Sequence, residues 1–371
     1  MKNFKNSRSV SSGKDSLGVL VKPRDPAEES LTDIWRAVLG RRDFGVCDKF
    51  SALSGDRTTA AKLLYLTEEK LKVELPENAI DEDTTIELLA KKLWAGGGLA
   101  GSSCVVALAP MGPGIPLFCM HPAAGDVGCY LKMVRRLRTN GSQHPVYGIR
   151  MPLFDSQISM ANSMPELASY YIHKIKSVQP AEPYMLLGYS MGGVIAFEMA
   201  KQLREQGKLV PFLGMLDSFI PSSIIPKDEA GYMTRYFSRA FSIEQLRSLS
   251  EFELMNAFRK QGIRSGILPD DAEISRAREV FEVIKHNINI TESYKPEPCP
   301  GRICFFSASE GIPNKTRRNA SLGWKKYIAE GVDVYYVPGN HHTMIRKAVH
   351  VQALAKPLLD TLTQASESFR W

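Results

Sequence analysis

The chain has 371 residues, 44% hydrophobic and 23% charged, a globular balance that excludes a disordered or collagen-like polymer and accommodates two unequal domains. Its net charge of +7 is carried in part by two short basic clusters, Lys132/Arg135/Arg136/Arg138 and Lys315/Arg317/Arg318. Neither interleaves an aromatic residue, so both are read as solvated surface and no nucleic-acid partner is expected. Six cysteines without paired spacing argue against zinc ribbons, redox motifs and disulfide scaffolds, and no metal site is expected. The first residues lack an apolar signal core and no 18-residue apolar run occurs, so a soluble, cytoplasmic chain with no membrane partner is predicted.

Residues 1–26 read as a polar tail ending in a proline-bearing connector. A small helical bundle is predicted over 27–95. Leu31, Ile34, Trp35, Val38 and Leu39 recur at helical spacing before a stop at Gly40. Ala60, Leu63, Leu64 and Leu66 continue towards Leu71, and the run from Asp81 to Thr85 resembles a cap before Ile86, Leu88, Leu89 and Leu93. The glycine-rich composition around Gly96, Gly97, Gly98 and Gly101 marks a flexible linker, placed at 96–112. From 113 to 371 short apolar runs at 117–120, 146–148, 184–187, 210–216, 303–306 and 332–337 alternate with amphipathic stretches such as 164–178 and 194–205. That alternation predicts an α/β fold with a mostly parallel sheet covered on both faces. Between about 219 and 295 the pattern is helical and apolar-rich, as in an insertion.

Gly188-Tyr189-Ser190-Met191-Gly192 is a G-x-S-x-G pentapeptide between a strand candidate and a helix candidate. A serine hydroxyl is a weak nucleophile until a sharp turn exposes it beside a base, and this context supplies the turn. A triad of this kind requires an acid and then a histidine later in the chain. Asp217 ends the run 210–216, and His341 and His342 follow the last strand candidate. Adjacent side chains diverge, so only one of the two histidines is expected to point inward. His144, His173, His286 and His350 are read as surface or packing residues. For an oxyanion, the amide of Met191 is one candidate donor. The second is expected from the loop His121-Pro122-Ala123-Ala124-Gly125, with Ala123 favoured over Ala124. His121 precedes the serine in the chain and is assigned a structural role.

These four stretches, together with Pro183-Tyr184-Met185-Leu186-Leu187 and Val337-Pro338-Gly339-Asn340, resemble the thioesterase domains that end nonribosomal peptide and polyketide synthases. The resemblance covers about residues 113–360. It implies an α/β-hydrolase fold with a helical lid after the aspartate-bearing strand, matching 219–295. It implies Ser190, Asp217 and His341 as the triad, His341 being the histidine directly after Gly339-Asn340. It also implies acyl transfer from a carrier's phosphopantetheine thioester to the serine, followed by release to water or to an internal amine or hydroxyl.

The bundle resembles the peptidyl-carrier domains of the same synthetases through Leu31–Gly40, Phe44–Phe50 and Leu53-Ser54-Gly55-Asp56. Where that family places the serine bearing phosphopantetheine, this chain has Arg57, followed by Thr58. An arginine has no nucleophilic oxygen. No covalently bound cofactor is therefore expected, and phosphopantetheine is expected only on the substrate carrier. The expected partner is an acyl- or peptidyl-carrier protein or an upstream synthetase. An esterase or lipase acting on free oxygen esters, and a non-catalytic docking protein of a synthetase, are the alternatives. The carrier-like bundle speaks against the first, and the full set of triad candidates against the second.

Overall fold

The computed structural model describes residues 20–24, 26–53, 55–71, 75, 79–94, 104–151, 161–220, 226–237, 240–310, 321 and 323–368. Most of the polar tail, Ser54, the glycine-rich stretch 95–103 and the cluster at Lys315, Arg317 and Arg318 lie outside the described residues.

Helices α1 (Pro26–Leu39), α2 (Arg57–Leu71) and α3 (Ile86–Trp94) form the N-terminal bundle. The helical spacing of Leu31, Ile34 and Trp35 puts them on one face of α1, buried with Leu63 of α2 and Ile86 and Leu89 of α3. The Trp35 ring meets Phe50 edge-on with centroids 5.6 Å apart. Side-chain caps start both later helices. Asp56 accepts from the Thr59 amide at 2.7 Å, and Thr85 from the Leu88 amide at 3.0 Å.

Among the described residues seven strands follow: β1 (Val105–Ala109), β2 (Leu117–Met120), β3 (Val146–Ile149), β4 (Met185–Tyr189), β5 (Phe212–Leu216), β6 (Ile303–Ala308) and β7 (Val332–Val337). They form one sheet in the order β1-β3-β2-β4-β5-β6-β7, antiparallel only between β1 and β3. Helices α5 (Met164–Val178) and α6 (Met191–Glu205) cover one face, and α4 (Leu131–Thr139) and α11 (Ala348–Glu367) cover the other. The two-residue period of a strand serves both layers. Leu186 of β4 packs with the α5–α6 side, while Met185 and Leu187 pack with the α4–α11 side. Strand order runs outward from β2 in both directions, so the carboxyl ends of β2 and β4 flank a topological switch point. Open α/β sheets place their ligands there.

Three elements depart from the sequence expectation. The linker placed at 96–112 contains β1, because its apolar residues pair antiparallel with β3 at the sheet edge. Glycine-rich sequence on one side and Gly112-Pro113-Gly114 on the other hide so short a strand. The cluster at Lys132, Arg135, Arg136 and Arg138 lies on α4, whose Met133, Val134 and Leu137 are buried. It is not merely solvated. Arg138 donates to the carbonyls of Ala109 and Ser142, both at 3.0 Å, and to that of Met111, while Arg135 donates to the carbonyl of Arg24. These guanidinium groups satisfy carbonyls at and just beyond the end of β1, after α4 and before α1, and α1 itself lies against β1 and α4. The third is α11, which the sequence reading left out.

The insertion after β5 holds α7 (Glu229–Phe237), α8 (Ile243–Arg247), α9 (Glu251–Arg264) and α10 (Ile274–Ser293). It has its own core, in which Phe258 stacks obliquely between Phe237 at 5.5 Å and Phe281 at 5.0 Å. Ser242 and Ser250 start α8 and α9 with capping boxes. No described helix is long and apolar enough to cross a membrane.

Candidate active site

Ser190 stands between β4 and α6 with φ 56° and ψ −124°. A non-glycine residue there costs on the order of 1–3 kcal/mol and persists only where its surroundings impose it. They do so here through hydrogen bonds and close backbone approach. The Ser190 amide donates to Leu216 at the end of β5 at 3.0 Å. A Cβ on Gly188 would lie 1.9 Å from the Gly192 carbonyl oxygen, and one on Gly192 would lie 2.3 Å from that of Met120. The pentapeptide's two glycines are thus required by backbone passing backbone. Tyr130 fastens the same region. Its hydroxyl accepts from the Tyr189 amide at 2.7 Å and donates to the Met120 carbonyl at 2.6 Å, bridging the ends of β2 and β4.

Asp217 follows β5 directly and is buried, with φ 46°. One carboxylate oxygen accepts from the Ala308 amide at 3.1 Å and the other lies 2.8 Å from Nδ1 of His341. The opposite imidazole nitrogen, Nε2, lies 3.1 Å from Ser190 Oγ. With Nδ1–H donated to the carboxylate, Nε2 presents its lone pair to the serine hydroxyl. The structure thus brings Ser190, Asp217 and His341 together. His342 is exposed, because the turn is set by Asn340, whose Oδ1 accepts from the amides of His342 and Thr343, both at 3.1 Å. His144 is buried with Nδ1 on the Ile115 carbonyl at 2.8 Å, and His350 packs behind Gly339.

Met191 is the first residue of α6, where an amide has no acceptor within its helix. Ala123 lies in the loop after β2, across the switch point. The carbonyl of the preceding peptide, Pro122 O, accepts from the Gly125 amide at 2.9 Å and from Nδ1–H of His121 at 2.8 Å. In a trans peptide the N–H points opposite the C=O, so these bonds fix the direction of the Ala123 N–H. His121 is fully buried and its Nε2 accepts from the Tyr171 hydroxyl at 2.7 Å. Burial pushes its pKa down to about 4, against a smaller opposing pull from the Pro122 carbonyl. It is a neutral structural residue, as its place in the chain suggested. Among the described residues no cluster of His, Cys, Asp or Glu could hold a metal ion.

Sequence reasoning did not find Tyr189, Tyr130 or Asn287. The first two carried no local signal, since their partners are distant in the chain. Asn287 did carry one. It is a polar residue on the apolar stripe of α10, and its Nδ2 donates to the Ala123 carbonyl at 2.9 Å.

A sheet of this order, with a helical insertion after its fifth strand and a serine on the strand–helix elbow at the switch point, has the α/β-hydrolase architecture. Residues 115–360 match the family model of the thioesterase domain, and the chain belongs to that family, whose members are hydrolases acting on thioesters. It is 30% identical over 312 residues to a dimodular nonribosomal peptide synthase of Bacillus subtilis (strain 168), covering 82% of this chain and 13% of that protein. Against the chondramide synthase of Chondromyces crocatus it is 28% identical, covering 88% of this chain and 9% of the synthase. The chain thus spans a small part of these curated relatives. Among solved structures, the Vlm2 thioesterase domain with a bound dodecadepsipeptide superposes with a TM-score of 0.54 at 21% identity, covering 69% of this chain and 96% of that one.

Proposed function

We propose that this chain releases an acyl, peptidyl or polyketide chain from a phosphopantetheine thioester on a carrier protein, in secondary-metabolite synthesis, by way of an acyl-enzyme on Ser190. The observation that carries the reading is the unbroken chain Ser190 Oγ, His341 and Asp217, with contacts of 3.1 and 2.8 Å. His341 Nε2 takes the hydroxyl proton as Ser190 Oγ attacks the thioester carbonyl. The amides of Met191 and Ala123 hold the oxyanion. The tetrahedral intermediate collapses, the C–S bond breaks, and the imidazolium returns its proton to the departing pantetheine thiolate. Water, or an amine or hydroxyl of the chain itself, then attacks the ester with His341 again as base, and Ser190 leaves with the proton. Asp217 holds the imidazole in the required tautomer and balances its positive charge.

The acyl group arrives on a separate carrier. Arg57, which opens α2 and is exposed, supports this part of the reading, because it stands where a carrier domain presents its serine. A fluorophosphonate probe followed by peptide mass analysis tests the nucleophile: Ser190 should carry the label and Ser190→Ala should abolish it. Turnover of acyl-pantetheine thioesters against matched oxygen esters tests the substrate class, and equal preference would remove the thioester assignment.

A further inference from the structure

Helix α10 turns a stripe of Ala277, Val280, Phe281 and Ile284 towards the interior, and Asn287 continues that stripe, fully buried. A buried carboxamide is costly unless its polar atoms are used. One is: Nδ2–H donates to the carbonyl of Ala123 at 2.9 Å, whereas Oδ1 has no partner among the described residues. That carbonyl belongs to the peptide joining Ala123 to Ala124, immediately after the peptide that carries the Ala123 N–H. The earlier peptide is held by His121 and Gly125, and the later one is held by the lid helix α10. Two further contacts run the same way. Ala124 packs against the lid core, and Val283, one turn before Asn287, stands against Gly125.

We infer that Asn287 is a positioning residue for the oxyanion loop, tying the last lid helix to the peptide beside the donor. The inference rests on the serine acyl-transfer reading proposed above. If the Ala123 carbonyl loses this donor, its peptide turns about the ψ bond of Ala123 and carries Ala124 and Gly125 with it, which loosens the Gly125 amide from the Pro122 carbonyl, one of the two bonds that aim the Ala123 N–H. The loss falls on the transition state, where the oxyanion exists, and leaves ground-state binding nearly unchanged. The lid is then part of the apparatus that orients the reacting groups as well as a cover over the substrate.

The test uses the full chain and a fluorophosphonate, whose phosphoryl oxygen meets the same donors. Asn287→Ala should slow labelling of Ser190 by about ten- to a hundredfold, somewhat less than deletion of an oxyanion donor costs. Leu268→Ala, which removes a side chain from the lid core, should lower the melting temperature yet label within about twofold of wild type. Asn287→Asp keeps the side chain's shape and donates only when its carboxyl is protonated. Full burial raises such a carboxyl above its ordinary range, so the variant's labelling rate relative to wild type at the same pH should rise about tenfold from pH 8 to pH 5, a ratio in which the titration of the triad cancels. This second variant decides the matter if Asn287→Ala does not fold. Wild-type labelling by folded Asn287→Ala, or a ratio for Asn287→Asp that is flat with pH, overturns the inference. A wild-type chain that takes no label at Ser190 overturns the serine reading, and this role with it.

Discussion

The hydroxyl of Tyr189 donates to the backbone carbonyl of His341 at 2.8 Å, and the two rings lie 5.0 Å apart. The residue just before the serine therefore holds the backbone of the histidine that faces that serine, across 152 positions of sequence. A tyrosine at the variable position of the G-x-S-x-G pentapeptide thus couples the end of β4 to the loop after β7.

Tyr189→Phe keeps the ring and removes this bond. A typical hydrogen bond contributes about 0.5–1.5 kcal/mol, so kcat should fall about two- to tenfold with KM nearly unchanged. Equal kcat in variant and wild type would show that the other bonds of the histidine turn position His341 unaided.

The two adjacent histidines should separate sharply. Removing a member of a catalytic unit costs roughly three to six orders of magnitude, so His341→Ala should be nearly inactive. His342→Ala, on an exposed side chain, should stay within about tenfold of wild type, or about 1.4 kcal/mol on the barrier. Asp217→Asn should fold and lose up to about 10⁴-fold by favouring the wrong imidazole tautomer. Steady-state rates of the three variants check the assignment, and the reverse order for the histidines would overturn it.

What was legible in the sequence had local causes. Helix α5 has the bounds its apolar spacing predicts, because Ser163 caps it and Pro165 sits in its first turn. Strands β2 and β7 match to the residue, since short apolar runs bounded by Pro and Gly leave little freedom. Ser190 and Asp217 follow their strands directly, so strand ends locate them, whereas three residues separate His341 from β7 and the strand end narrows the base only to His341 or His342. What stayed hidden was decided by distant partners. Strand β1 becomes a strand by pairing with β3, and α4 is masked by arginines whose acceptors include carbonyls at and just beyond the end of β1 and before α1. Asn287 reaches Ala123 across 164 positions, and only its polarity on an apolar stripe announces it.

Buried His121 should make the fold sensitive to acid. Its pKa is lowered by burial to about 4 from an ordinary value of 6.5, so the unfolded chain binds a proton that the folded chain refuses. The contribution is present in full above pH 6.5 and is lost as pH falls from there towards 4. At about 1.36 kcal/mol per unit the loss amounts to about 3 kcal/mol. Urea unfolding at pH 7 and pH 5 should show about 2 kcal/mol of it, and His121→Asn should flatten the slope by about one proton. Parallel slopes for variant and wild type would place the acid sensitivity elsewhere, for instance at His144, which burial shifts in the same direction.

The last prediction concerns Arg57. Phosphopantetheine is installed by attack of a side-chain hydroxyl on the phosphate of coenzyme A, and a guanidinium offers only N–H donors and a permanent positive charge. A cation in the first turn of a helix opposes the helix dipole. Here Asp56, immediately before it, accepts from the Thr59 amide, and that backbone bond holds its carboxyl below the usual range. The bundle therefore retains a well-capped α2 without the serine, and loss of the attachment point need not mean loss of the fold. A promiscuous phosphopantetheinyl transferase with coenzyme A should leave the mass of the intact chain unchanged. A separate carrier loaded with an acyl thioester should nevertheless be unloaded in trans, in a reaction that Ser190→Ala abolishes. Deleting the bundle should then raise KM for the loaded carrier and leave kcat unchanged if its remaining use is to dock a partner. A gain of about 340 Da, the mass of one phosphopantetheine, would show instead that a neighbouring hydroxyl such as Thr58 or Ser54 has taken over and that the chain loads itself.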